Sequence, residues 1–423
     1  MSEAESGLES EFISRRGRRG LVLISVALVV LATVSFLYLR PALTAARRPV
    51  TAPPLPVGGA VQSFTFFDQS AGWAVLVSPA GRLASTTPMS IVRTSDGGRH
   101  WKRADVPGVQ TYALTRFFDP THGIVSVSTQ SRHILYSTAD GGQRWRSFPL
   151  PGHGSAADAL SLVFLDPRRG WYLEQVSPLL PNLGLGGGQV PQQALWRTVD
   201  GGATWDRLLG LDATHQPSAG GLTFGGFKAL SSFSDEQHGC LVSVADETQP
   251  PTFYLTADGG QTWRPLAVPA PAYALVGGAW GGGSYRLFRL HDLLVELVGP
   301  EVPYTSYFTQ TSADGGLSWT ALRPLPIQAP RLVLPQFQDS RHWYLAAGRF
   351  LWRTADAGQT WQSQPAAIPG SLSMSDLQVV DHRVMWVIAL RDDAPDAPDH
   401  LLRSIDGGTH WEDQGPPFLQ LAS

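Results

Sequence analysis

An eight-residue repeat occurs seven times along the 423-residue chain and limits the fold more than any other feature. Each copy reads Thr or Ser, any residue, Asp, a small residue, Gly, two variable residues and Trp. The small residue is Gly in six copies and Ala357 in the other one. The copies lie at 94–101, 138–145, 198–205, 256–263, 312–319, 354–361 and 404–411. Because they recur roughly every 50 residues, they indicate a set of stacked structural units.

Short runs typical of β-strands surround most copies. One run precedes a polar turn, as at 162–166, and a second run follows it, as at 170–174. A third run ends on the hydroxyl residue of the repeat, as at 194–198, and a fourth begins at its Trp. Four short strands per unit, joined by Gly-rich turns, are typical of a propeller blade. The sequence therefore predicts an all-β domain at 61–423, a seven-bladed β-propeller of four-stranded blades.

The repeat itself reads as the turn between the third and fourth strands. An Asp carboxylate can accept hydrogen bonds from nearby main-chain N–H groups, and Gly allows a positive φ angle. The hydroxyl can join this local network, and the Trp can hold the turn against the blade. Seven copies favour a structural role, because an active site is needed only once. The predicted structural residues are Asp96, Trp101, Asp140, Trp145, Asp200, Trp205, Asp258, Trp263, Asp314, Trp319, Asp356, Trp361, Asp406 and Trp411.

The repeat resembles the Asp-box, or bacterial neuraminidase repeat. Its longer form, with F-x-D-x-x-x-G-W before the box, is similar to the propellers of the photosystem II assembly and stability factors and their bacterial relatives. The resemblance covers about 61–415 and implies a propeller fold. Asp-boxes also occur in sialidases, xyloglucan-degrading enzymes and sortilin-type receptors, so they are less specific for function. Two segments depart from the pattern: 277–297 in blade 5 lacks the Asp-turn-Gly-Trp hairpin, and 337–343 in blade 6 shortens it.

The N-terminal residues predict a membrane anchor. Residues 20–39 form an apolar run long enough to cross about 30 Å of hydrocarbon as a helix. Four arginines precede the run and three follow it, which favours a cytoplasmic N-terminus. A cleaved signal peptide is the alternative, but its apolar region is usually shorter. We expect a cytoplasmic tail at 1–19, a single transmembrane helix at 20–39, a Pro-rich linker at 40–60 and an extracytoplasmic propeller.

Composition narrows the function classes. A formal net charge of −3 with 16% charged residues predicts no basic face for nucleic acid. The one cysteine, Cys240, lies in an apolar run and is expected to be a buried thiol. The sequence has no phosphate-binding loop, no paired C-x-x-C and no H-E-x-x-H, so we expect no cofactor and no metal. The propeller is expected to be monomeric.

A carbohydrate-active enzyme is the alternative function. Asp-box sialidases usually carry an R-I-P phrase near the first strand, and this chain has none. A xyloglucanase-like glycoside hydrolase needs two carboxylates at a set separation, and no spacing in the sequence pairs the loop acids. A glycan-binding module stays open with them. The candidate loop acids are Asp212, Asp235, Glu236, Asp246, Glu247, Asp292 and Glu301.

Two surfaces are candidates for binding a protein partner. One carries long loops at 76–90, 177–193, 210–226, 245–252 and 391–400, opposite the repeat turns. The second is implied by the resemblance, because the photosynthetic relatives present an arginine-lined surface to a membrane-protein client. The matching arginines here are Arg93, Arg197, Arg353 and Arg403, each directly before a repeat hydroxyl. The sequence thus predicts a membrane-anchored, non-catalytic propeller that binds a protein partner, such as a membrane complex whose assembly it assists.

Overall fold

The computed structural model describes the propeller part of the chain. The described residues are 60–77, 88–128, 133–152, 159–175, 192–212, 216, 218–244, 251–269, 283–300, 307–327, 334–391 and 397–415. All of them lie in the compact unit Pro53–Ser423. The predicted tail, anchor helix and nearly all of the linker lie outside the described residues. Within the described ranges, no helix is long and apolar enough to span a bilayer.

The first four blades contain strands β1 to β18. Blade 1 has β1 (Ala60–Phe66), β2 (Gly72–Val77), β3 (Met89–Thr94) and β4 (Lys102–Arg103). Blade 2 has β5 (Leu114–Phe117), β6 (Gly123–Ser128), β7 (His133–Thr138) and β8 (Arg146–Pro149). Blade 3 has β9 (Ala159–Phe164), β10 (Gly170–Gln175), β11 (Gln192–Thr198) and β12 (Asp206–Asp212). A small hairpin, β13 (Ser218–Ala219) and β14 (Leu222–Thr223), precedes blade 4 with β15 (Phe227–Phe233), β16 (Gly239–Val244), β17 (Thr252–Thr256) and β18 (Arg264–Leu266).

The last three blades contain β19 to β30. Blade 5 has β19 (Gly283–Leu290), β20 (Leu293–Pro300), β21 (Phe308–Ser312) and β22 (Arg323–Pro324). Blade 6 has β23 (Gln336–Phe337), β24 (Trp343–Ala347), β25 (Phe350–Thr354) and β26 (Gln362–Pro365). Blade 7 has β27 (Leu372–Val379), β28 (Met385–Arg391), β29 (His400–Ser404) and β30 (Glu412–Asp413).

The predicted seven-bladed propeller is confirmed. Seven four-stranded antiparallel sheets follow one another, each with its strands in sequence order. The first strands pack against the first or second strand of a neighbouring blade, so they are the innermost strands of the ring. Seven apolar clusters form the core, one at each seam between adjacent blades. Each blade is therefore stable only between its neighbours, since its two faces are buried against them.

Stacked aromatic rings join several blades. Three tryptophans in second strands stack on an aromatic ring in the first strand of the next blade: Trp73 on Phe117, Trp171 on Phe233 and Trp386 on Phe66. Each of these indoles also donates a hydrogen bond across the seam to a main-chain carbonyl of the next blade. The pairs combine ring burial with a satisfied indole N–H, the arrangement that buried Trp prefers.

Side chains close the ring between blades 7 and 1, because the described strands of these two blades belong to separate sheets. The Gln378 amide of blade 7 donates to the Phe66 carbonyl at 2.8 Å and accepts from the Phe66 N–H at 2.7 Å. The Asp399 carboxylate, fully buried, accepts from the Val61 N–H at 2.8 Å. Together with the Trp386–Phe66 stack, these hydrogen bonds hold blade 7 against blade 1.

Local features of the first turn explain why blades 5 and 6 depart from the sequence pattern. In blade 6 the motif is one residue shorter, but the turn itself has the same length as in blade 1, since five residues separate Phe337 from Trp343 and Phe66 from Gly72. Trp343 therefore lies opposite the box hydroxyl residue Thr354, the position that Gly72 occupies opposite Thr94. Gly72 leaves room for Phe66, since a Cβ there would lie 2.5 Å from the ring. In blade 5, β19 and β20 are joined by a two-residue turn in which His291 has a φ of 56°.

Only part of the predicted loop face is described. The segment 210–226 is more ordered than an irregular loop, because it contains the β13–β14 hairpin. The Gly220 carbonyl of this hairpin accepts a hydrogen bond from the Trp263 N–H at 2.6 Å, which fixes the hairpin to blade 4. The central parts of the other four long loops lie outside the described residues.

Candidate functional site

The seven Asp-boxes share one hydrogen-bond network, shown by the box of blade 3. The Thr198 hydroxyl donates to Asp200 Oδ1 at 2.9 Å and accepts from the Gly202 N–H at 2.9 Å. Asp200 Oδ1 also accepts from the Thr204 N–H at 2.9 Å. The same three bonds occur in every box. The carboxylate thus holds its own turn in the conformation that two positive-φ residues allow.

The seventh and eighth box residues complete the turn. In four boxes a Thr or Ser hydroxyl at the seventh position donates to Asp Oδ2, and in two boxes a His ring nitrogen lies 2.6 Å from it. The indoles of Trp101, Trp205, Trp263 and Trp411 donate to the carbonyl of the second Gly of their own box. The indoles of Trp145 and Trp319 donate instead to the link from the preceding blade.

A second set of aspartates, of which the sequence analysis singled out only Asp235, lies between the first and second strands. Each accepts hydrogen bonds from the N–H groups two and three residues later, as Asp68 does from Ser70 and Ala71. The carbonyl of the residue two positions later accepts a bond from the N–H of the fourth box residue, as Ser70 does from Gly97 at 2.8 Å. The set comprises Asp68, Asp119, Asp166, Asp235, Asp339 and Asp381.

Both sets of turns lie at one end of the blades, and we call this surface the Asp-box face. In six blades the main-chain bond described above joins the two turns; in the described part of blade 5 the first turn has no such aspartate. The F-x-D pattern in the sequence is the signal that could have identified the second set. The result is a rigid plane of thirteen capped turns, because each carboxylate accepts several bonds from its own loop.

All thirteen carboxyls have a lowered pKa. In Asp119 and Asp356, desolvation raises the pKa, but hydrogen bonds from N–H and hydroxyl groups outweigh it and hold the pKa at about 2. In Asp406 the bonds from His410 are the largest contribution, and its pKa is also about 2. The other ten shift in the same direction. These groups stay ionised at neutral pH, whereas a general acid must hold its proton there.

Two of the four candidate arginines lie over tryptophans at blade seams. The Arg197 guanidinium is 5.7 Å from the centre of the Trp171 ring, and its Nη2 is 3.7 Å from Glu236 of blade 4. The Arg403 guanidinium is 5.8 Å from the Trp386 ring and donates to the Gln69 carbonyl of blade 1 at 3.0 Å. Cation–π contact and a bond to the next blade make both side chains part of the ring's own packing.

Of the other two candidate arginines, Arg93 reaches the next blade and Arg353 is linked to it through Gln364. A Cβ added to Gly141, in the box of blade 2, would collide with the Arg93 guanidinium of blade 1. Arg353 donates to Gln364, and the Gln364 amide donates to Thr409 in the box of blade 7 at 3.3 Å. The structure thus places all four arginines on the Asp-box face at separate seams; three of them contact the next blade directly, and Arg353 bonds Gln364 of its own blade. Partner binding by these four residues stays a prediction.

The four candidate loop acids that the structure describes are not gathered into one site. Asp235 caps a turn, and Glu236 pairs with Arg169 and Arg197. Asp212 accepts a bond from the Gln216 N–H at the end of β12, and Asp292 lies in the two-residue turn of blade 5. Asp246, Glu247 and Glu301 lie outside the described residues. Within the part of the chain that the structure describes, no group of three His, Cys, Asp or Glu side chains is placed to hold a metal ion.

Cys240 is a core thiol, as its apolar surroundings in the sequence predict. Its side chain is fully buried at the seam between blades 4 and 5. Burial raises the pKa of this thiol to about 11, although a contact with the Ser232 hydroxyl at 3.5 Å opposes the shift. A nucleophilic cysteine needs the opposite, a lowered pKa and access to solvent.

Three large apolar side chains are exposed at the tips of boxes. Leu317 is 86% exposed, Val199 48% and Ile405 48%, on blades 5, 3 and 7. The described residues contain one more large apolar side chain with such exposure, Phe350, at the opposite end of blade 6. Sequence reasoning missed these residues, but a comparison of the variable box positions would have found them. Most other boxes carry Ala, Ser, Gln, Arg or Thr there.

Comparisons with known proteins agree on the fold. No protein-family model and no curated protein matches the chain. A structure titled YCF48 bound to D1 peptide shares 18% identity, with 85% of this chain and 98% of that chain covered and a TM-score of 0.47. YCF48 from Cyanidioschyzon merolae shares 16%, covering 83% and 97%, with a TM-score of 0.48. The propeller matches the YCF48 structures in fold, as the sequence motifs predict.

Propellers of other kinds match as well. The β-propeller domain of the Trilobed protease from Pyrococcus furiosus, described as having an open velcro topology, shares 8% identity, covering 84% of this chain and 98% of that chain, with a TM-score of 0.50. A xyloglucanase and an ulvan lyase are also among the matches. At such identities the likeness shows the fold, and function has to be argued from this chain's own residues.

Proposed function

We propose that this chain is a non-catalytic, membrane-anchored propeller that binds a protein partner through its Asp-box face, outside the cytoplasm, and assists the assembly or stability of a membrane complex. The observation that carries the proposal is the exposure of Leu317, Val199 and Ile405 at the tips of rigid boxes. A partner that covers these tips would remove their apolar surface from water, which favours association.

The fold does not need these apolar side chains. The sixth box position is Leu317 in blade 5, and Gln143, Gln261 or Gln359 at the same position form the same turn in other blades. The second position is Val199 or Ile405 in two boxes and Ala or Ser in the other five. An exposed leucine without a role in the fold costs solvation free energy and gains none from packing.

The aspartates of this face support binding rather than catalysis. Each carboxylate accepts several hydrogen bonds from its own turn and stays ionised, so it has no proton to donate as a general acid. A rigid surface also loses little conformational entropy when it binds, which favours a recognition role.

A protein or peptide is the ligand class that we propose. One solved propeller of this fold is titled as bound to a D1 peptide, and that title concerns YCF48. For this chain the proposal depends on its own exposed side chains. The proposed location depends on the apolar run at 20–39 and its flanking arginines. Added protease on spheroplasts should then degrade the propeller and spare the cytoplasmic tail.

Capture from detergent-solubilised membranes tests the proposal. The full-length tagged chain is compared with a triple variant, Leu317→Gln, Val199→Ala and Ile405→Ala, in which every new residue is one that other boxes already use. Phe350→Ser is the matched control, because it removes an exposed apolar side chain from the opposite end of a blade. The triple variant should keep the parent's melting temperature and lose the captured protein, while the control keeps it.

Two results would contradict the proposal. Equal capture by the parent and the triple variant would remove the Asp-box face as the binding surface. Hydrolysis of a fluorogenic sialoside or of xyloglucan by the purified chain would show that the propeller is catalytic, the alternative that the Asp-box resemblance keeps open.

A further inference from the structure

The central channel of the propeller presents a distinctive set of side chains to water. Both faces of each blade pack against neighbouring blades, so solvent reaches the middle of an innermost strand only through the channel. Among the described side chains of β1, β5, β9, β15, β19, β23 and β27, four are exposed, and all four are polar or charged: Gln62, Arg116, Arg286 and Asp376. The channel therefore offers one amide, two guanidinium groups and one carboxylate.

Strand register places three of these groups in one layer. Asp376 pairs with Ile388, three residues after Met385, which lies opposite the box hydroxyl residue Ser404. Arg286 pairs with Leu297, three residues after Leu294, which lies opposite the box hydroxyl residue Ser312. Gln62 lies next to that level in blade 1. Arg116 pairs with Ile124, one residue after Gly123, which lies opposite the box hydroxyl residue Thr138. Arg116 therefore lies two residues, about 7 Å, nearer the Asp-box face than Asp376 does.

Two β-bulges aim the side chains of this layer. The register of β1 shifts between Val61 and Ser63, at Gln62, and that of β27 shifts between Met374 and Asp376. A bulge adds one residue, turns a side chain to a new direction and is frequent beside functional sites. The bulges lie in adjacent blades, 1 and 7, at nearly the same height.

The charges in the channel are not neutralised by each other. No ion pair with another described residue is formed by Asp376, Arg116 or Arg286. Desolvation raises the pKa of Asp376 to about 6 and lowers the pKa of Arg116, although both side chains face water. Arg116 does lie 5.9 Å from the ring of Phe118. Both groups are therefore less hydrated than they would be on an open surface.

We propose that the central channel binds a short zwitterionic peptide, with Asp376 facing its terminal ammonium group and Arg116, two residues nearer the Asp-box face, facing its terminal carboxylate. A ligand that carries both charges neutralises both kinds of group, which a simple amine or a simple carboxylate does not. An extended chain gains about 3.5 Å per residue, so two or three residues span the separation between the two levels. The Gln62 amide is placed to bond the peptide's main chain.

Blocked peptides make the proposal testable on the unmodified protein. Titration calorimetry of the full-length chain in detergent compares triglycine with N-acetyl-triglycine, which lacks the ammonium group, and triglycine amide, which lacks the carboxylate. Each removed charge should weaken binding about ten- to a hundredfold, the usual effect of losing a hydrogen bond to a charged group. Equal affinity for all three peptides, or no saturable binding of triglycine, overturns the proposal.

Variants assign each charge to its partner. Asp376→Asn should bind triglycine and N-acetyl-triglycine equally, and Arg116→Gln should bind triglycine and its amide equally. Asp206→Asn and Arg146→Gln are the controls, since both remove exposed charges on the fourth strands of blades 3 and 2. The controls should bind as the parent does; an equal loss in the controls overturns the assignment to the channel.

Discussion

Replacing Ala357 with Gly is expected to stabilise the chain. Ala357 takes the fourth position of the blade 6 box with a φ of 59°, where the other six boxes have Gly. The left-handed conformation costs an L-residue about 1–2 kcal/mol. Gly removes that strain but adds freedom to the unfolded chain, which costs about 0.4–1 kcal/mol. The free energy of unfolding should therefore rise by roughly 0.5–1 kcal/mol.

Two Gly→Ala substitutions separate the cost of backbone strain from the cost of a steric collision. Gly108 has a φ of 74° and no atom within 4 Å of an added Cβ, so Gly108→Ala carries the backbone strain alone. Gly201 has a φ of 79°, and an added Cβ would lie 2.9 Å from the Pro167 carbonyl oxygen. Gly201→Ala should therefore cost more than Gly108→Ala, because a main-chain atom must also move.

Urea unfolding followed by Trp fluorescence measures the series. From highest to lowest, the expected order of urea midpoints is Ala357→Gly, the parent, Gly108→Ala and Gly201→Ala, with one common m-value. A lower midpoint for Ala357→Gly would refute the reasoning, since it would show that the turn does not strain Ala. Equal midpoints for the two Gly→Ala variants would remove the collision from the explanation.

Three other predictions follow from the described contacts. Asp200→Ala and Trp205→Ala should lower the melting temperature but leave partner capture intact in the folded fraction, since loss of a packed Trp costs about 3–5 kcal/mol; unchanged melting with lost capture would make the box functional. Arg197→Ala combined with Arg353→Ala should also lower the melting temperature and keep capture, whereas the arginine-surface hypothesis predicts that capture is lost. Burial lowers the pKa of Lys228 from 10.5 to about 8. The folded chain then releases this proton before the unfolded chain does, so the stability of the parent relative to Lys228→Met should rise between pH 8 and 10.5, by roughly 3 kcal/mol at most; parallel pH profiles would contradict it.

The Lys228 network was beyond the reach of sequence reasoning. Its ammonium group donates to the Gln193 side chain at 3.0 Å and to the Gly225 carbonyl, and Gln175 bonds both the N–H and the carbonyl of Lys228. Gln175 and Gln193 come from strands of blade 3 and Lys228 from a strand of blade 4, whereas Gly225 lies in the segment before that strand. A buried lysine inside a predicted strand gives no signal of its partners, because they are distant in the chain.

The candidate site was predicted in part. The boxes, their hydroxyls and their tryptophans are apparent in the sequence, and so is the position of the four arginines before the hydroxyls. The contacts that these arginines make are not apparent in the sequence. Arg403, for example, bonds the carbonyl of Gln69, which is 334 residues away in the chain. Likewise, the exposure of Leu317 depends on which neighbours surround its turn, and the channel side chains depend on strand register.

Local chemistry explains what the sequence alone determined. The bonds of each box join residues at most four positions apart, as Thr198 and Gly202 are, so eight residues suffice to specify the turn. Seven such turns, with strand-forming runs between them, determine seven four-stranded blades. Blade count, all-β class and the conformation of the turns could therefore be read without coordinates.

Tertiary structure decided the rest, because it depends on pairing between distant segments. In blade 6 Trp343 takes the glycine position of the first turn, and only the register of β24 with β25 reveals this. Among the described residues, the ring closes through Gln378 and Phe66, which are 312 residues apart, rather than through a shared strand. The same registers place Asp376 and Arg286 at one height in the channel. A slip of one residue would turn these side chains into a seam between blades, because successive residues of a strand face opposite sides.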